Sequence, residues 1–401
     1  MSTTTSDPRL AGLLEGARAL QPRTVALRRQ IHRHPEQGLQ LPKTQAAILH
    51  ALEGLPLEVT TGESTTSVVA VLEGERPGPT VLLRGDMDAL PLQEDTGLPF
   101  ASEVDGSMHA CGHDTHVAML ASSARLLADR RDALSGRVVF MFQPGEEGYH
   151  GARYMIEEGL LDGGVEKAFA LHVTSTMKSG VVTCRPGPMM ASGDTFHIHV
   201  KGRGGHGAMP HNALDPVPAA AAMVGALQTM LGRRISVHQP AVVTVAQIKA
   251  GTTTNIIPET ATLDGTIRTL SEETRKLVHK ELKQVVKHTA AAYGCHAEVS
   301  IVPGYPVTVN DDVVGQHVVD LAAQLMGPSW SEPMQDPLMG AEDFSYVLQR
   351  VPGALAFLGA CPRGIDLEDA APNHSNRVLF DEAAMEHGVA TYAAFALDAL
   401  R

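Results

Sequence analysis

Thr80-Val81-Leu82-Leu83-Arg84-Gly85-Asp86-Met87-Asp88 is an apolar run that leads directly into two carboxylates. A short run rich in Val and Leu is typical of a strand buried on both faces. Similar strands are predicted at Ser67–Leu72, Arg137–Phe142 and Ala168–Val173. Helical patterns separate them, at His116–Ala128 and Ala152–Leu161. Strands that alternate with helices predict an α/β layer with a mostly parallel central sheet.

A different pattern begins near Met190. Phe196, Ile198 and Val200 alternate with polar residues, as in a half-exposed strand. The elements predicted after it are a helix at Pro216–Leu231, strands at Ala241–Lys249 and Thr260–Thr269, a helix from about Glu272 to Tyr293 with Ser271 as N-cap, and a strand at Ala297–Val302. This β-α-β-β-α-β order is ferredoxin-like and predicts an inserted domain of residues 191–303. Residues 1–190 and 304–401 would form one discontinuous domain.

The composition is that of a globular protein, with 43% hydrophobic and 19% charged residues among 401. A net charge of −13 without a Lys/Arg-rich run predicts no nucleic-acid partner. The four cysteines, Cys111, Cys184, Cys295 and Cys361, show no disulfide spacing, so we expect a reducing, cytoplasmic location. No signal-peptide pattern opens the sequence and no run is apolar enough to span a membrane, so we expect no membrane partner.

Met108-His109-Ala110-Cys111-Gly112-His113-Asp114-Thr115-His116 places one cysteine and three histidines in nine residues. A second stretch, Gln143-Pro144-Gly145-Glu146-Glu147-Gly148, sets two carboxylates side by side. Thiolate, imidazole and carboxylate donors together suit a transition-metal ion. Adjacent glutamates allow one to bind metal while the other transfers protons. These two stretches predict a metal-dependent hydrolase.

The candidate residues fall at the ends of predicted strands. Asp86 and Asp88 follow one strand, Glu146 and Glu147 follow another, and His172 lies at the end of a third. In open α/β sheets, ligands bind beyond the carboxyl ends of the strands. We therefore expect these side chains to converge at one edge of the sheet.

Each assignment has a simpler alternative. Cys111 and His113 could be a structural cysteine beside a surface histidine. The glutamate pair could be a solvated turn that caps the next helix, since acids are favoured at a helix N-terminus. His172 alone could be a core histidine. His109 and His116 are weaker candidates, and His116 either supports a ligand or is simply exposed.

The ordered motifs resemble those of the M20 metallopeptidase family, in the branch of hippurate hydrolase, N-acyl-amino-acid amidohydrolases and plant auxin–amino-acid conjugate hydrolases. The matching segments span nearly the whole chain, and they are Arg84–Pro91, Met108–His116, Phe142–Gly148, Leu171–Val173, Gly202–His211, Thr254–Glu259, Gly265–Thr269, Gly340–Phe344 and His374. Gly145, Tyr149 and His150 depart from the usual family pattern. The resemblance implies a zinc-peptidase-like catalytic domain with an inserted dimerisation or lid domain.

The resemblance also implies a two-metal site that takes Zn²⁺, Mn²⁺, Co²⁺ or Ni²⁺. Its implied ligands are Cys111, His113, Glu147, His172 and His374. Glu146 would be the catalytic base, because a carboxylate can take a proton from activated water at neutral pH. Asp86 and Asp88 would support the site by orienting a ligand histidine, with Asp88 the stronger candidate.

In the inserted domain, the resemblance assigns an oxyanion-stabilising role to His206, acting on the active site of a partner subunit. Asn255 and Arg268 would hold the substrate carboxylate. The alternatives are a surface turn for His206 and a cross-strand ion pair for Arg268. The glycines around His206 lack the spacing of a phosphate-binding loop. Exposed edge strands predict that two inserted domains pair in a homodimer.

The leading hypothesis is hydrolysis of an N-acyl-amino acid to a carboxylic acid and a free amino acid. A dipeptidase or an N-acetyl-diaminopimelate-type deacetylase would use the same chemistry with a different pocket. A non-catalytic metal-binding protein is the alternative from another class, but it would not need Glu146. A dinucleotide-dependent oxidoreductase is disfavoured because the α/β layer has no dinucleotide fingerprint.

Overall fold

The computed structural model describes residues 8–400. The helices in that range are α1 (Leu13–Arg33), α2 (Pro42–Leu52), α3 (His113–Ala128), α4 (Gly151–Glu157), α5 (Pro216–Arg234), α6 (Glu272–Ala292), α7 (Asp312–Met326), α8 (Ser345–Leu348) and α9 (Met385–Ala399). The strands are β1 (Leu57–Thr61), β2 (Val68–Glu73), β3 (Arg76–Asp86), β4 (Ser135–Gln143), β5 (Val165–Thr174), β6 (Val182–Cys184), β7 (Gly187–Met190), β8 (Asp194–Lys201), β9 (Gly205–His206), β10 (Ala241–Ala250), β11 (Ile256–Ile257), β12 (Thr260–Thr269), β13 (His296–Val302), β14 (Thr308–Asn310), β15 (Ser331–Pro333) and β16 (Gly353–Gly359).

The described chain divides into two compact units. The first runs to Met189 and also contains Val309–Asp336 and the chain from Asp343 onward. The second consists of Met190–Thr308 and Pro337–Glu342. Each unit has a sheet and a hydrophobic core of its own.

An eight-stranded mixed sheet organises the first unit, in the order β1-β2-β4-β3-β5-β16-β6-β15. The central neighbours β4, β3, β5 and β16 run parallel, as do β6 and β15. The contacts β1–β2, β2–β4 and β16–β6 are antiparallel. The prediction of an α/β fold with a mostly parallel central sheet is therefore confirmed. Burial on both faces explains the continuous apolar runs of β3 and β16.

Helices α1, α3 and α9 pack on one another, and α3 and α9 also pack on the central strands β3 and β5. Phe169 of β5 stacks on Phe395 of α9, with ring centroids 4.7 Å apart. Almost every residue of α9 is buried, so this helix has no polar face. The sequence patterns missed α9 for that reason, because a helix prediction depends on apolar periodicity. They also missed β1 and the three-residue strands β6 and β15.

The second unit contains a four-stranded antiparallel sheet in the order β10-β12-β8-β13. Helices α5 and α6 pack on each other and on the strands of this sheet. Side chains of β8 alternate between buried and exposed, as half-exposed strands do. Ser271 caps α6, because its side chain accepts a hydrogen bond from the Thr274 N–H. The role of residues 191–303 as an inserted dimerisation or lid domain stays a prediction.

In the described part of the chain, no helix is both long enough and apolar enough to cross a membrane.

Candidate metal centre

The centre is built at the carboxyl ends of three adjacent parallel strands of the first unit. Asp86 ends β3, Gln143 ends β4 just before Glu146 and Glu147, and His172 lies near the end of β5. Strand β3 is the neighbour of both β4 and β5, so these ends lie side by side. This is the edge at which open α/β sheets bind their ligands.

Gly112 makes the turn that presents Cys111 and His113. Its φ of 87° lies in the left-handed region that favours glycine. A Cβ atom at Gly112 would lie 2.4 Å from Cγ2 of Val173, so a larger residue has no room. Helix α3 begins at His113, which places Cys111 in the loop before the helix and His113 in its first turn.

The other four side chains predicted as ligands converge on Cys111. Its Sγ lies 3.4 Å from Nε2 of His172 and 3.3 Å from Nε2 of His374. Oε1 of Glu147 lies 3.2 Å from the same nitrogen of His374 and 3.9 Å from Nε2 of His113. Two groups of these donors share Cys111, one of Cys111, His113 and His172 and one of Cys111, Glu147 and His374. A further group brings His113 and Glu147 together with Glu146.

The chemistry of these donors fits divalent transition-metal ions. Both ring nitrogens of His113 are buried without a hydrogen-bond partner among the described residues. Buried polar atoms normally have a partner, so these atoms suit metal coordination. Burial raises the pKa of the Cys111 thiol, and a thiolate at this position therefore needs a cation beside it. Sulfur, nitrogen and carboxylate donors match the preferences of Zn²⁺ and its neighbours.

His374 is the most exposed of the predicted ligands, and the surrounding chain holds it in place. Its φ of 69° is one of the two left-handed values among non-glycine residues in the described chain. Its N–H donates to the carbonyl oxygen of Ala110 at 2.9 Å. Hydrogen bonds to Cys111 and Glu147 raise the pKa of His374 to about 10, so this corner of the site favours positive charge.

Asn373, which was not among the predicted site residues, connects the segment around His374 to the loop that carries Cys111. Its Nδ2 donates to the carbonyl oxygens of Cys111 at 3.2 Å and Val173 at 3.0 Å. Its Oδ1 accepts the N–H of Ser175. The position of Asn373 next to a candidate ligand was the only sequence signal for this role.

Asp88 fixes the turn that carries the glutamate pair. Its two carboxylate oxygens accept the N–H groups of Glu146 at 2.9 Å and of Glu147 at 3.0 Å. Its Oδ1 also lies 3.5 Å from Nδ1 of His113. Asp88 thus contacts one predicted ligand and orients the backbone of the predicted base.

Asp86 and His116 form a buried pair behind the ligands. Nε2 of His116 accepts the N–H of Val173 at 2.8 Å, so the proton of the neutral ring lies on Nδ1, which donates to Asp86. Burial alone would raise the pKa of Asp86, but Arg84 and His113 hold it well below its usual range. His116 is fully buried, so the option that it is simply exposed was wrong. Both of its ring nitrogens are engaged in hydrogen bonds, which favours a supporting role over metal binding.

The three remaining candidates lie in the second unit. His206 of β9 pairs with Ile256 of β11, and the N–H of Gly207 donates to the carbonyl oxygen of Asn255 at 2.9 Å. Nδ1 of His206 accepts the N–H of Ala208 at 3.0 Å, so the neutral ring carries its proton on Nε2. Arg268 lies on β12, and it forms no ion pair within residues 8–400, which argues against a cross-strand ion pair.

The sequence profile of Peptidase family M20/M25/M40 matches residues 82–398. Thermostable carboxypeptidase 1 of Saccharolobus solfataricus is 39% identical over 389 residues, which are 96% of this chain and 97% of the relative. N-acetylcysteine deacetylase of Bacillus subtilis is 40% identical over 343 residues, 85% of this chain and 89% of the relative. IAA-amino acid hydrolase ILR1-like 4 of Arabidopsis thaliana is 36% identical over 376 residues, 93% of this chain and 84% of the relative.

Among solved structures, the YXEP protein of Bacillus subtilis, a dinuclear metal-binding peptidase of the M20 family, superposes with a TM-score of 0.84. It is 34% identical, and the match covers 96% of this chain and 99% of that one. The chain belongs to Peptidase family M20/M25/M40. It is a metal-dependent hydrolase of amide bonds, as the sequence predicted.

Proposed function

We propose that the protein cleaves the amide bond of N-acyl-amino acids to release a carboxylic acid and a free amino acid. The observation that carries this proposal is the convergence of Cys111, His113, Glu147, His172 and His374 beside Glu146. The names of two similar proteins, an N-acetylcysteine deacetylase and an IAA-amino acid hydrolase, support this class of substrate. Acetyl and benzoyl, or hippurate-like, acyl groups are the first candidates.

The five ligands would hold two divalent ions, with Zn²⁺, Mn²⁺, Co²⁺ and Ni²⁺ as candidates. Such ions, when bound, activate water and polarise the substrate carbonyl. Glu146 takes the proton from the attacking water and then donates it to the nitrogen of the leaving amine. Glu146 is only 6% exposed, which limits competing proton exchange between its carboxylate and bulk solvent. Asp88 keeps the two glutamates side by side, so that one binds metal while the other moves the proton.

For the second unit we propose that His206 of a partner copy stabilises the oxyanion, while Asn255 and Arg268 bind the substrate carboxylate. The Nε2–H of His206 is the kind of donor that an oxyanion requires. The guanidinium of Arg268 has no carboxylate partner in the described chain. It can donate two parallel hydrogen bonds to the carboxylate of a substrate. The homodimer needed for this arrangement would form through the exposed edge strand β10.

A peptide substrate is the second candidate. A protein that is 39% identical to this chain is named a carboxypeptidase, and a dipeptide also presents an amide next to a free carboxylate.

Both substrates are small molecules, and the net charge of −13 offers no attraction for nucleic acid. We place the enzyme in the cytoplasm, because all four of its cysteines are buried free thiols.

Amino-acid release from a panel of N-acyl-amino acids and dipeptides tests the proposal. The purified protein is stripped of metal and then reloaded with Zn²⁺, Mn²⁺, Co²⁺ or Ni²⁺. We expect release only after reloading, with at least one N-acyl-amino acid cleaved faster than any dipeptide. Preferential cleavage of dipeptides would shift the assignment to a dipeptidase. Confirmed metal binding without any turnover would contradict the proposed function.

A further inference from the structure

The loop that carries the two glutamates is braced by a carboxylate from a distant part of the chain. Strand β4 ends at Gln143 and helix α4 begins at Gly151, so Glu146 and Glu147 lie on the connection between them. Asp88 holds the middle of this connection. Asp343, about two hundred positions further along the chain, holds both of its ends.

Asp343 is completely buried, and three donors surround its carboxylate. At the start of the loop, Nε2 of Gln143 donates to Oδ1 of Asp343 at 2.7 Å. At the end of the loop, the N–H of Ala152 donates to Oδ2 at 2.9 Å. The guanidinium of Arg84 donates to Oδ1 at 3.2 Å and to Asp86 at 2.6 Å. One carboxylate therefore links both ends of the loop to the end of β3.

A second contact reinforces the first. Three residues after Asp343, the hydroxyl of Tyr346 lies 2.9 Å from Nδ1 of His150, the last residue before α4. His150 has a left-handed φ of 60°, which a non-glycine residue adopts only when its surroundings hold it there. The segment from Asp343 to Tyr346 thus contacts the loop at two neighbouring places.

An oxygen of Asp343 lies within 4.8 Å of an oxygen of Glu146, so the alternative role for Asp343 is that of a metal ligand. Both of its oxygens already accept strong hydrogen bonds from Arg84, Gln143 and Ala152. A carboxylate committed in this way acts as a support for its neighbours. Since Arg84, Gln143 and Ala152 all donate, an asparagine at position 343 would turn its NH₂ group towards one of them.

We propose that Asp343 is a positioning residue that holds Glu146 and Glu147 in their working geometry by bracing both ends of their loop. The inference rests on the proposed function, in which Glu146 is the base and Glu147 is a ligand. It assigns a role to the Gly340–Phe344 motif, which the metal ligands and the substrate-binding candidates leave unexplained.

The test compares Asp343→Asn with Asn310→Asp in the metal-loaded full-length enzyme. Asn310 is also buried in the first unit, where it bonds to the N–H and the carbonyl oxygen of Leu355 at 2.7 and 2.9 Å, and it is not part of the metal centre. Each change exchanges a buried amide and a carboxylate of equal size. The control therefore shows how much kcat and loop exchange change when a comparable buried side chain is altered outside the metal centre.

We expect Asp343→Asn to lower kcat about 10- to 100-fold at saturating metal, which is typical for the loss of a group that supports a metal site. KM should change much less, because the substrate-binding candidates lie elsewhere in the chain. Hydrogen exchange should accelerate at the N–H groups of Glu146, Glu147 and Ala152. Asn310→Asp should leave kcat and the exchange of this loop unchanged.

When the wild-type protein cleaves a substrate of the panel, the proposal stands only if both kcat and loop exchange respond to Asp343→Asn more than to the control. An unchanged exchange rate overturns it, and so does faster exchange without loss of kcat. If the wild-type protein cleaves no substrate of the panel, the proposed function fails and hydrogen exchange alone decides whether Asp343 braces the loop.

Discussion

At the scale of single residues, Cys111 is the centre of the site. It lies within 3.4 Å of two histidine nitrogens and belongs to both ligand groups. No other predicted ligand lies in both groups with Cys111, because His113 and His172 belong to one and Glu147 and His374 to the other. A side chain shared in this way should control the binding of both ions.

We therefore expect Cys111→Ala to weaken the binding of both metal ions, whereas His374→Ala should weaken only one. Metal content per chain, measured by elemental analysis after dialysis at a series of free Zn²⁺ concentrations, checks this. Cys295→Ala is the matched control, because Cys295 is a buried free thiol in the second unit. An unaltered metal content in Cys111→Ala would contradict the shared role.

Glu146 is expected to act on protons and not to hold metal. Glu146→Gln keeps the size of the side chain but removes the base, so kcat should fall about 10²- to 10⁴-fold with unchanged metal content. Glu157→Gln, on the exposed face of α4, is the control and should retain full activity. Substantial turnover in Glu146→Gln would exclude Glu146 as the base.

At the scale of elements, a buried carboxylate joins β8 to α6 in the second unit. Asp194, the first residue of β8, accepts hydrogen bonds from Nε of Arg275 at 2.9 Å and Nε2 of His279 at 2.6 Å. The N–H of Gly304, just after β13, donates to the same carboxylate at 2.9 Å. The start of one strand, the face of a helix and the end of another strand therefore meet at Asp194.

These contacts predict how the stability of the second unit depends on pH. Burial alone would raise the pKa of Asp194, but hydrogen bonds from His279 and Arg275 hold it well below its usual range. A carboxyl with a depressed native pKa stabilises the fold above its unfolded pKa of about 3.9, and that contribution is lost as the pH falls further. At neutral pH, Asp194→Asn should cost about 3 kcal/mol, as the breaking of a buried ion pair does.

The measurement is thermal unfolding of metal-free wild type and Asp194→Asn from neutral pH to about pH 3. The difference in stability between them should begin to shrink below about pH 4, where the carboxyl takes up a proton in the unfolded state. Asp264→Asn serves as a control, since Asp264 pairs with His197 at a largely exposed position and should have little effect at any pH. A difference that stays constant with pH would show that folding does not shift the pKa of Asp194.

At the scale of the whole molecule, each unit has its own sheet and core, and the second unit leaves β10 and β13 as open edges. Strand β10 is ten residues long, with Lys249 as its only charge and with Val242 and Ile248 exposed. Long apolar edges with few charges tend to pair with another strand. This favours β10 as the edge through which two copies would associate.

The homodimer prediction can be tested with one lysine on each edge. Ile248 on β10 is 52% exposed and Val302 on β13 is 51% exposed, so the two positions are closely matched. We expect Ile248→Lys to convert a dimer into a monomer and Val302→Lys to leave the dimer intact, as measured by sedimentation velocity. If His206 acts across the dimer, the monomer should also lose activity while it keeps its metal. A monomeric wild type, or a dimeric Ile248→Lys, would disprove the prediction.

Local sequence patterns were sufficient to predict most of the elements. Strand β12 occupies the predicted Thr260–Thr269, and α6 begins at Glu272 behind its predicted cap. These predictions succeed because alternation, helical spacing and capping are properties of neighbouring residues. The same reasoning placed Glu146, Glu147 and His172 at strand ends, which are adjacent once the strands are parallel.

Tertiary structure decided the features that depend on residues far apart in the chain. Because α9 is buried on nearly all sides, its sequence shows no apolar periodicity. His116 is buried between the ends of β3 and β5, where its two ring nitrogens bond to Asp86 and to the N–H of Val173. Asp343 contacts the glutamate loop from about two hundred positions away, and although it lies in the Gly340–Phe344 motif, no local pattern reveals that contact. Local sequence patterns thus predicted most of the elements, the donors and the class of chemistry. The fold decided which donors meet and what holds them, because burial and long-range hydrogen bonds exist only once the chain is folded.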